Sequence, residues 1–262
     1  MTRADPPPGY VRLADDRAEV VVREALADSL QAALRAAPRT NPTVWGFAAA
    51  SPSAWPLAGR GTAYAIALPR SSVRVVIRHN QHGGALARIT RDLFLTPTKA
   101  GHELRIALEL DRRGVPTPEV VAYATYQAFP PFRRADVVTA EIEASRDLAA
   151  VLANDTKVER VAAWKATRTL LAQLAEAGAW HQDLNAKNIL LHSNDDRSFD
   201  AYVLDVDRVV FPPLGKPEVM ARNAARLTRS VLKWGRLYGA KVDGAELAAL
   251  AAAGGASSRS SV

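Results

Sequence analysis

The chain has 262 residues, 48% of them apolar, and a formal net charge of +7 at pH 7. That is enough apolar material for one large core or two closely packed lobes, and it excludes a disordered or fibrous protein. With no cysteine and no HExxH pair among five histidines, disulfides and thiolate metal sites are excluded and a zinc enzyme is disfavoured.

The basic balance favours anionic partners such as phosphate-bearing substrates or an anionic membrane face; nucleic acid would rest on charge alone and is not expected. The opening MTRADPPPGY lacks the apolar h-region of a secretory signal, and no stretch reaches the roughly 18 apolar residues that cross a bilayer. The expected location is cytoplasmic.

In chain order, residues 1–10 are Pro-rich and read as loose. Val22, Leu26, Leu30 and Leu34 recur every four residues, which predicts a helix from Glu19 to Ala36, ended by Pro38 and Pro42. Tyr64–Leu68 and Val73–Arg78 are β-rich runs around a proline-bearing turn and predict an antiparallel hairpin. Ala100–Arg113 has a helical period with Gly114 as its C-cap. Val120–Tyr126 and Val137–Ile142 read as strands, Arg146–Leu152 as the start of a helix, and Val158–Ala177 as a long helix closed by Gly178. Short strands at Ile189–His192 and Ala201–Leu204 and a helix near Glu218–Tyr238 follow. A β-rich first half before a mostly helical second half predicts a two-lobed α+β protein. The expected division is 1–142 for an N-terminal extension and β-rich lobe, 143–250 for a helical lobe, and 251–262 for a disordered tail.

The most informative string is His181-Gln182-Asp183-Leu184-Asn185-Ala186-Lys187-Asn188, followed by the apolar Ile189-Leu190-Leu191. It fits H-x-D-L-x-x-x-N, the catalytic loop of kinase-fold enzymes, in which the aspartate orients the attacking hydroxyl and the asparagine amide turns back to bind Mg²⁺. Without the asparagine and the strand in register, a polar turn capped by Asp183 would serve as well. Val203-Leu204-Asp205-Val206-Asp207 then offers a carboxylate at a strand end seventeen residues after Asn188, where such enzymes hold their main Mg²⁺ ligand. Asp207 stands where protein kinases have the glycine of Asp-Phe-Gly. Val75-Val76-Ile77-Arg78 resembles the V-A-I-K strand, with Arg78 replacing lysine and Glu103 as its partner. Gly59 and Gly61 would let backbone N–H groups approach phosphates, though a plain hairpin turn accounts for them equally. Glu141 and Ile142, at the seam between the lobes, complete the expected nucleotide contacts. The reading is a protein-kinase-like fold with ATP between a β-rich lobe and a helical one.

These residues resemble the lipopolysaccharide core kinases, most closely the kinases of Kdo (3-deoxy-D-manno-octulosonic acid). The resemblance is carried by Ile77-Arg78-His79 with Gly83-Gly84, Arg91-Asp92, Phe94-Leu95, Glu103, and Gly114-Val115-Pro116-Thr117-Pro118. It continues through Asp183-Leu184-Asn185-Ala186, Asn188-Ile189-Leu190, Asp205-Val206-Asp207-Arg208, and Arg222-Asn223 with Arg226-Leu227, Arg229-Ser230 and Lys233. It implies a peripheral enzyme on the cytoplasmic face of the inner membrane that uses ATP and Mg²⁺ to phosphorylate the 4-hydroxyl of Kdo on a lipid A precursor. The catalytic residue would be Asp183, the metal ligands Asn188 and Asp205. A heptose or other small-molecule kinase of this fold, and an inactive binding module, are the alternatives. Separately, Arg222, Arg226, Arg229, Lys233 and Arg236 fall on one face of the last long helix, opposite Met220, Ala224, Leu227, Val231 and Trp234. Such a basic stripe suits lipid phosphates or an acidic saccharide, and equally a solvated face.

Overall fold

The computed structural model describes residues 5–16, 18–57, 63–81, 92–95, 99–238 and 244–255. The chain forms two compact units, Met1–Arg105 with Glu119–Glu141, and Ile106–Pro118 with Ile142–Val262.

The first unit is built on one antiparallel sheet. Its strands are β1 (Tyr10–Leu13), β2 (Ala18–Arg23), β3 (Trp55–Leu57), β4 (Ala63–Ala67), β5 (Arg74–His79), β6 (Phe94–Leu95), β7 (Val120–Phe129) and β8 (Phe132–Ala140). The order is β1-β2-β7-β8-β5-β4-β3, with β6 also pairing with β8. Helices α1 (Ala27–Ala36) and α2 (Val44–Ala50) join the sheet in one core, which includes Val20, Val22, Leu30, Leu34, Val44, Ile66, Val75, Ile77 and Val138.

The helix predicted from Glu19 therefore begins eight residues late. Val20, Val21 and Val22 are all buried, as in a strand covered on both faces, and three consecutive β-branched residues favour that state. Val22 shares the four-residue spacing of Leu26, Leu30 and Leu34 by coincidence of period, not by sharing their helix. Two elements lie in stretches read as loose or left unassigned. Tyr10 opens β1 and donates its hydroxyl to Val120 O at 2.7 Å, and Thr43 caps α2 by accepting Gly46 N–H at 2.8 Å.

Helix α3 (Ala100–Arg112) starts in the first unit and ends in the second. Gly114, at φ 73°, terminates it: Val115 N–H reaches Leu110 O at 2.9 Å and Gly114 N–H reaches Asp111 O at 2.9 Å, a Schellman closure.

The rest of the second unit contains β9 (Ser145–Asp147), α4 (Leu148–Asn154), α5 (Lys157–Glu176), β10 (Trp180–His181), β11 (Ile189–Ser193), β12 (Phe199–Val203), β13 (Val209–Val210), α6 (Lys216–Tyr238) and α7 (Gly244–Gly255). Strands β12-β11-β9 form one small sheet and β10-β13 another. The helix expected from Arg146 starts at Leu148, because Asp147 serves as its N-cap and accepts Ala150 N–H at 2.8 Å. A capping box of Thr156 and Glu159 opens α5. Gly178, at φ 66°, ends it with the same pair of bonds that closes α3. Along α5, Trp164, Leu170, Leu171 and Leu174 are buried. Helix α7 takes in residues 251–255, the first part of the tail assigned to disorder from composition.

Candidate active site

The string from His181 to Asn188 forms the end of β10, an irregular loop and a short 3-10 turn leading into β11. Irregular backbone cannot satisfy itself through a ladder, so its polar groups need other partners. Asp183 O accepts from Asn185 Nδ2 and Asn188 Nδ2, each at 3.0 Å. Lys187 N–H goes to Asn185 Oδ1 at 3.0 Å and Gln182 N–H to Arg208 O at 3.0 Å. Committing its NH₂ to Asp183 O leaves the Asn188 side-chain oxygen as the face open to a cation.

Asp205 follows β12, with φ 57° and ψ 45°. Aspartate tolerates this left-handed conformation far better than a β-branched residue. Leu204 N–H donates to Asn188 O at 2.9 Å, which sets the Asp205 segment beside Asn188. His181 completes the assembly. Fully buried, it accepts Asp183 N–H on Nδ1 at 3.1 Å, so the other ring nitrogen carries the proton and donates to Leu204 O at 3.0 Å. Burial pushes its pKa below the ordinary value, in keeping with a neutral ring that acts as a strut. The structure thus joins the segments of Asp183, Asn188 and Asp205 through two direct hydrogen bonds and the two made by His181. Asp207 lies next to them with its side chain largely buried.

Helix α6 supplies what the sequence reading missed. Asn223, fully buried, accepts His181 N–H on Oδ1 at 3.0 Å and donates from Nδ2 to Ala179 O at 2.9 Å. Arg226 Nη2 donates to Asp183 Oδ1 in an ion pair, and Ser230 Oγ accepts Ala186 N–H at 3.1 Å. Positions 223, 226 and 230 are three and four apart and share one face. The available signal was the string R-N-x-x-R-L-x-R-S, whose polar residues interrupt the apolar side of the helix. The expected basic stripe is accordingly split. Arg226 is taken by Asp183, and Arg222 stacks 4.7 Å from the Trp180 ring centroid. Arg229, Lys233 and Arg236 line a shallow groove with Leu232 and Leu237.

In the first unit, Arg78 Nη2 pairs with Glu103 Oε1, and Glu103 is 5% exposed. The expected partnership is formed with arginine in place of lysine. The next residue, His79, is held from both sides, Nδ1 at 2.6 Å from Asp136 Oδ1 and Nε2 at 3.1 Å from Asp92 Oδ2. Asp136 is fully buried and also accepts Trp45 N–H at 2.8 Å and the Tyr126 hydroxyl at 3.0 Å. Burial by itself would lower the His79 pKa; the bonds and charges of Asp136 and Asp92 outweigh it and raise the value. Glu141 pairs with Arg74 at 2.7 Å, and its N–H is committed to Arg74 O at 3.1 Å; Ile142 O accepts the Ser145 hydroxyl at 2.6 Å. Gly59 and Gly61 lie outside the described residues.

The donors at Asn188 and Asp205 are hard oxygens, which suit Mg²⁺. Among the described residues no three His, Asp or Glu side chains converge as a ready-made metal cage. A metal here would draw its remaining ligands from phosphate and water, the usual habit of Mg²⁺.

Residues 56–250 match the model of the lipopolysaccharide kinase (Kdo/WaaP) family. A 3-deoxy-D-manno-octulosonic acid kinase of Xanthomonas oryzae pv. oryzae is 36% identical over 181 residues, covering 67% of this chain and 68% of that protein. Another from Xanthomonas euvesicatoria pv. vesicatoria is 34% identical over 198 residues, 74% of each chain, and one from Actinobacillus succinogenes is 31% identical over 168 residues, 62% of this chain and 67% of its own. Among solved structures, WaaP in complex with acyl carrier protein superimposes with a TM-score of 0.54 at 14% identity, covering 90% of this chain and 88% of that one. That likeness gives the fold as α+β and kinase-like. With a family model spanning most of the sequence and relatives above 30% identity over two thirds of it, the chain belongs to the lipopolysaccharide kinase (Kdo/WaaP) family.

Proposed function

We propose that the chain is an ATP-dependent kinase that phosphorylates the 4-hydroxyl of a Kdo sugar on a lipid A precursor. The observation that carries this reading is the joining of Asp183, Asn188 and Asp205 by His181 and the Asn188 amide, in a family whose relatives bear the name of Kdo kinase. Asp183 orients the sugar hydroxyl and receives its proton, and the Asn188 oxygen and the Asp205 carboxylate would hold Mg²⁺. When bound, the metal neutralises charge on the phosphates of ATP. Arg78, aimed by Glu103, grips the α- and β-phosphates through its planar fork. Gly59, Gly61, Glu141 and Ile142 complete the nucleotide contacts, Glu141 through groups other than its N–H, which Arg74 occupies. Phosphoryl transfer of this kind depends on positioning and on fixed charge, so each carboxylate is indispensable.

A lipid-linked acceptor places the chain at the cytoplasmic face of the inner membrane. No described helix is long and apolar enough to cross a bilayer. The groove of Arg229, Lys233 and Arg236, with Leu232 and Leu237 exposed beside them, supports peripheral contact with anionic lipid.

The deciding experiment is mass spectrometry of purified Kdo-lipid A incubated with the chain, ATP and Mg²⁺. One added phosphate is expected, absent for Asp183→Ala and Asp205→Ala. An unmodified acceptor, or an Asp183→Ala variant as active as the parent, sinks the proposal.

A further inference from the structure

The cation on Asp183 comes from outside the loop. Lys187, four residues after Asp183, has its Nζ 3.7 Å from Asp147 Oδ2 and 5.3 Å from the Trp234 ring centroid. Arg226 of α6 donates to Asp183 Oδ1 instead, and Asn223 and Ser230 of the same helix, on either side of it, bind the loop at His181 and Ala186. The Asp183 side chain is 32% exposed and that of Arg226 is 40% exposed. The guanidinium is therefore open to solvent and has donors left for a second oxyanion.

An acidic acceptor raises a difficulty that a neutral sugar does not. In a 3-deoxy-2-ulosonic acid the carbon bearing the carboxylate and the carbon bearing the 4-hydroxyl are separated by a single methylene. Seating that hydroxyl on Asp183 brings a second carboxylate close to the first, and like charges at this range repel. A cation already fixed on Asp183 offsets the repulsion, and a planar guanidinium can fork onto the incoming carboxylate. A lysine could match the charge but not the fork.

Resting on the Kdo reading, we infer that Arg226 is the residue that recognises the acceptor's carboxylate. One of its donors stays on Asp183 while others take the carboxylate of the sugar, so a single side chain sets both the aim of Asp183 and the preference for an acidic sugar.

The test compares phosphotransfer by the full chain, with ATP and Mg²⁺, to Kdo-lipid A and to the same acceptor with the Kdo carboxylate converted to its carboxamide. The parent should prefer the acid by roughly 10- to 100-fold in kcat/KM, the range of a charged hydrogen-bonded contact. Arg226→Gln should lower turnover of the acid and bring the two acceptors within about threefold of each other, and Arg226→Lys should keep part of the preference. Where Arg226→Gln is too slow to assay, equilibrium binding of both acceptors in the presence of a non-hydrolysable ATP analogue and Mg²⁺ reads the same ratio. A preference that survives in Arg226→Gln overturns the inference, since the variant then acts only through Asp183. So does a parent that phosphorylates both acceptors equally, with the Kdo reading intact. A parent that phosphorylates neither overturns both.

Discussion

Replacing Asn223 with alanine should weaken the helical unit and its 181–188 loop together. Asn223 is fully buried, and its amide serves two backbone groups, His181 N–H at 3.0 Å and Ala179 O at 2.9 Å. Alanine removes both partners and leaves no room-filling substitute, so two buried backbone groups are stranded. Each stranded group costs about 1–3 kcal/mol, or roughly 2–6 kcal/mol for the pair. For a chain of this size each kcal/mol lowers Tm by about 2–4 °C, so a fall of at least about 4 °C is expected. Asn223→Asp keeps an acceptor for His181 N–H but sets a carboxylate against the Ala179 carbonyl and buries a charge. It should be no more stable than the alanine variant. Thermal unfolding followed by circular dichroism measures both, and phosphotransfer below the transition measures the loop. Variants within about 0.5 kcal/mol of the parent, the range of surface substitutions, would refute the assignment of α6 as the support of the loop.

Arg78→Ala removes the guanidinium paired with the buried Glu103 carboxylate and should destabilise the sheet unit by about 1–3 kcal/mol, below the full cost of breaking a buried pair because solvent reaches Arg78. Arg78→Met with Glu103→Leu should regain most of that in urea unfolding while ATP use stays lost. His79 has a raised pKa, so its imidazolium stabilises the fold fully below the ordinary 6.5 and progressively less as pH rises through the folded value. The stability gap between parent and His79→Gln, read from urea midpoints across pH 5.5–9, should therefore narrow with rising pH above neutrality; a constant or widening gap would remove the imidazolium from the account. Gly114→Ala and Gly178→Ala should each cost about 1–2 kcal/mol from backbone strain, since both sit at positive φ with no atom closer than 3.9 Å to an added Cβ. Losses near zero in denaturant titrations would mean that those helix ends relax.

Elements punctuated by their own residues were legible in the sequence. Gly114 and Gly178 mark the ends of α3 and α5, and the β4–β5 hairpin shows as two β-rich runs about a turn. Strand β2 was not legible, because one of its partners, β7, lies far away in sequence and the other, β1, falls at the edge of a stretch read as loose. Val20 pairs with Ala124 and Val22 with Ala122 on one side, and Leu13 and Val11 pair with them on the other. A local periodicity of four cannot weigh that pairing, so Val22 is counted with the leucines of the helix that follows. Helix α2 is only seven residues long, and beyond the Thr43 cap it offers no period to read.

That the 181–188 loop and the Asp205 segment belong together was legible because the H-x-D-L-x-x-x-N pattern and a following strand-end aspartate are recognised by fixed spacing, whatever surrounds them. The role of α6 was hidden by the same arithmetic that found its stripe. Cations at steps of four and three define a face, but not what that face meets: Arg226, at its edge, turns with Asn223 and Ser230 onto the loop. The physical clue was the amide of Asn223, set among Leu227, Ala224 and Val231, all buried. Polar groups embedded in a buried helix face must have partners. An irregular loop must find donors and acceptors outside itself. Each need answers the other, which is why a helix some forty residues downstream carries the groups that His181, Asp183 and Ala186 use.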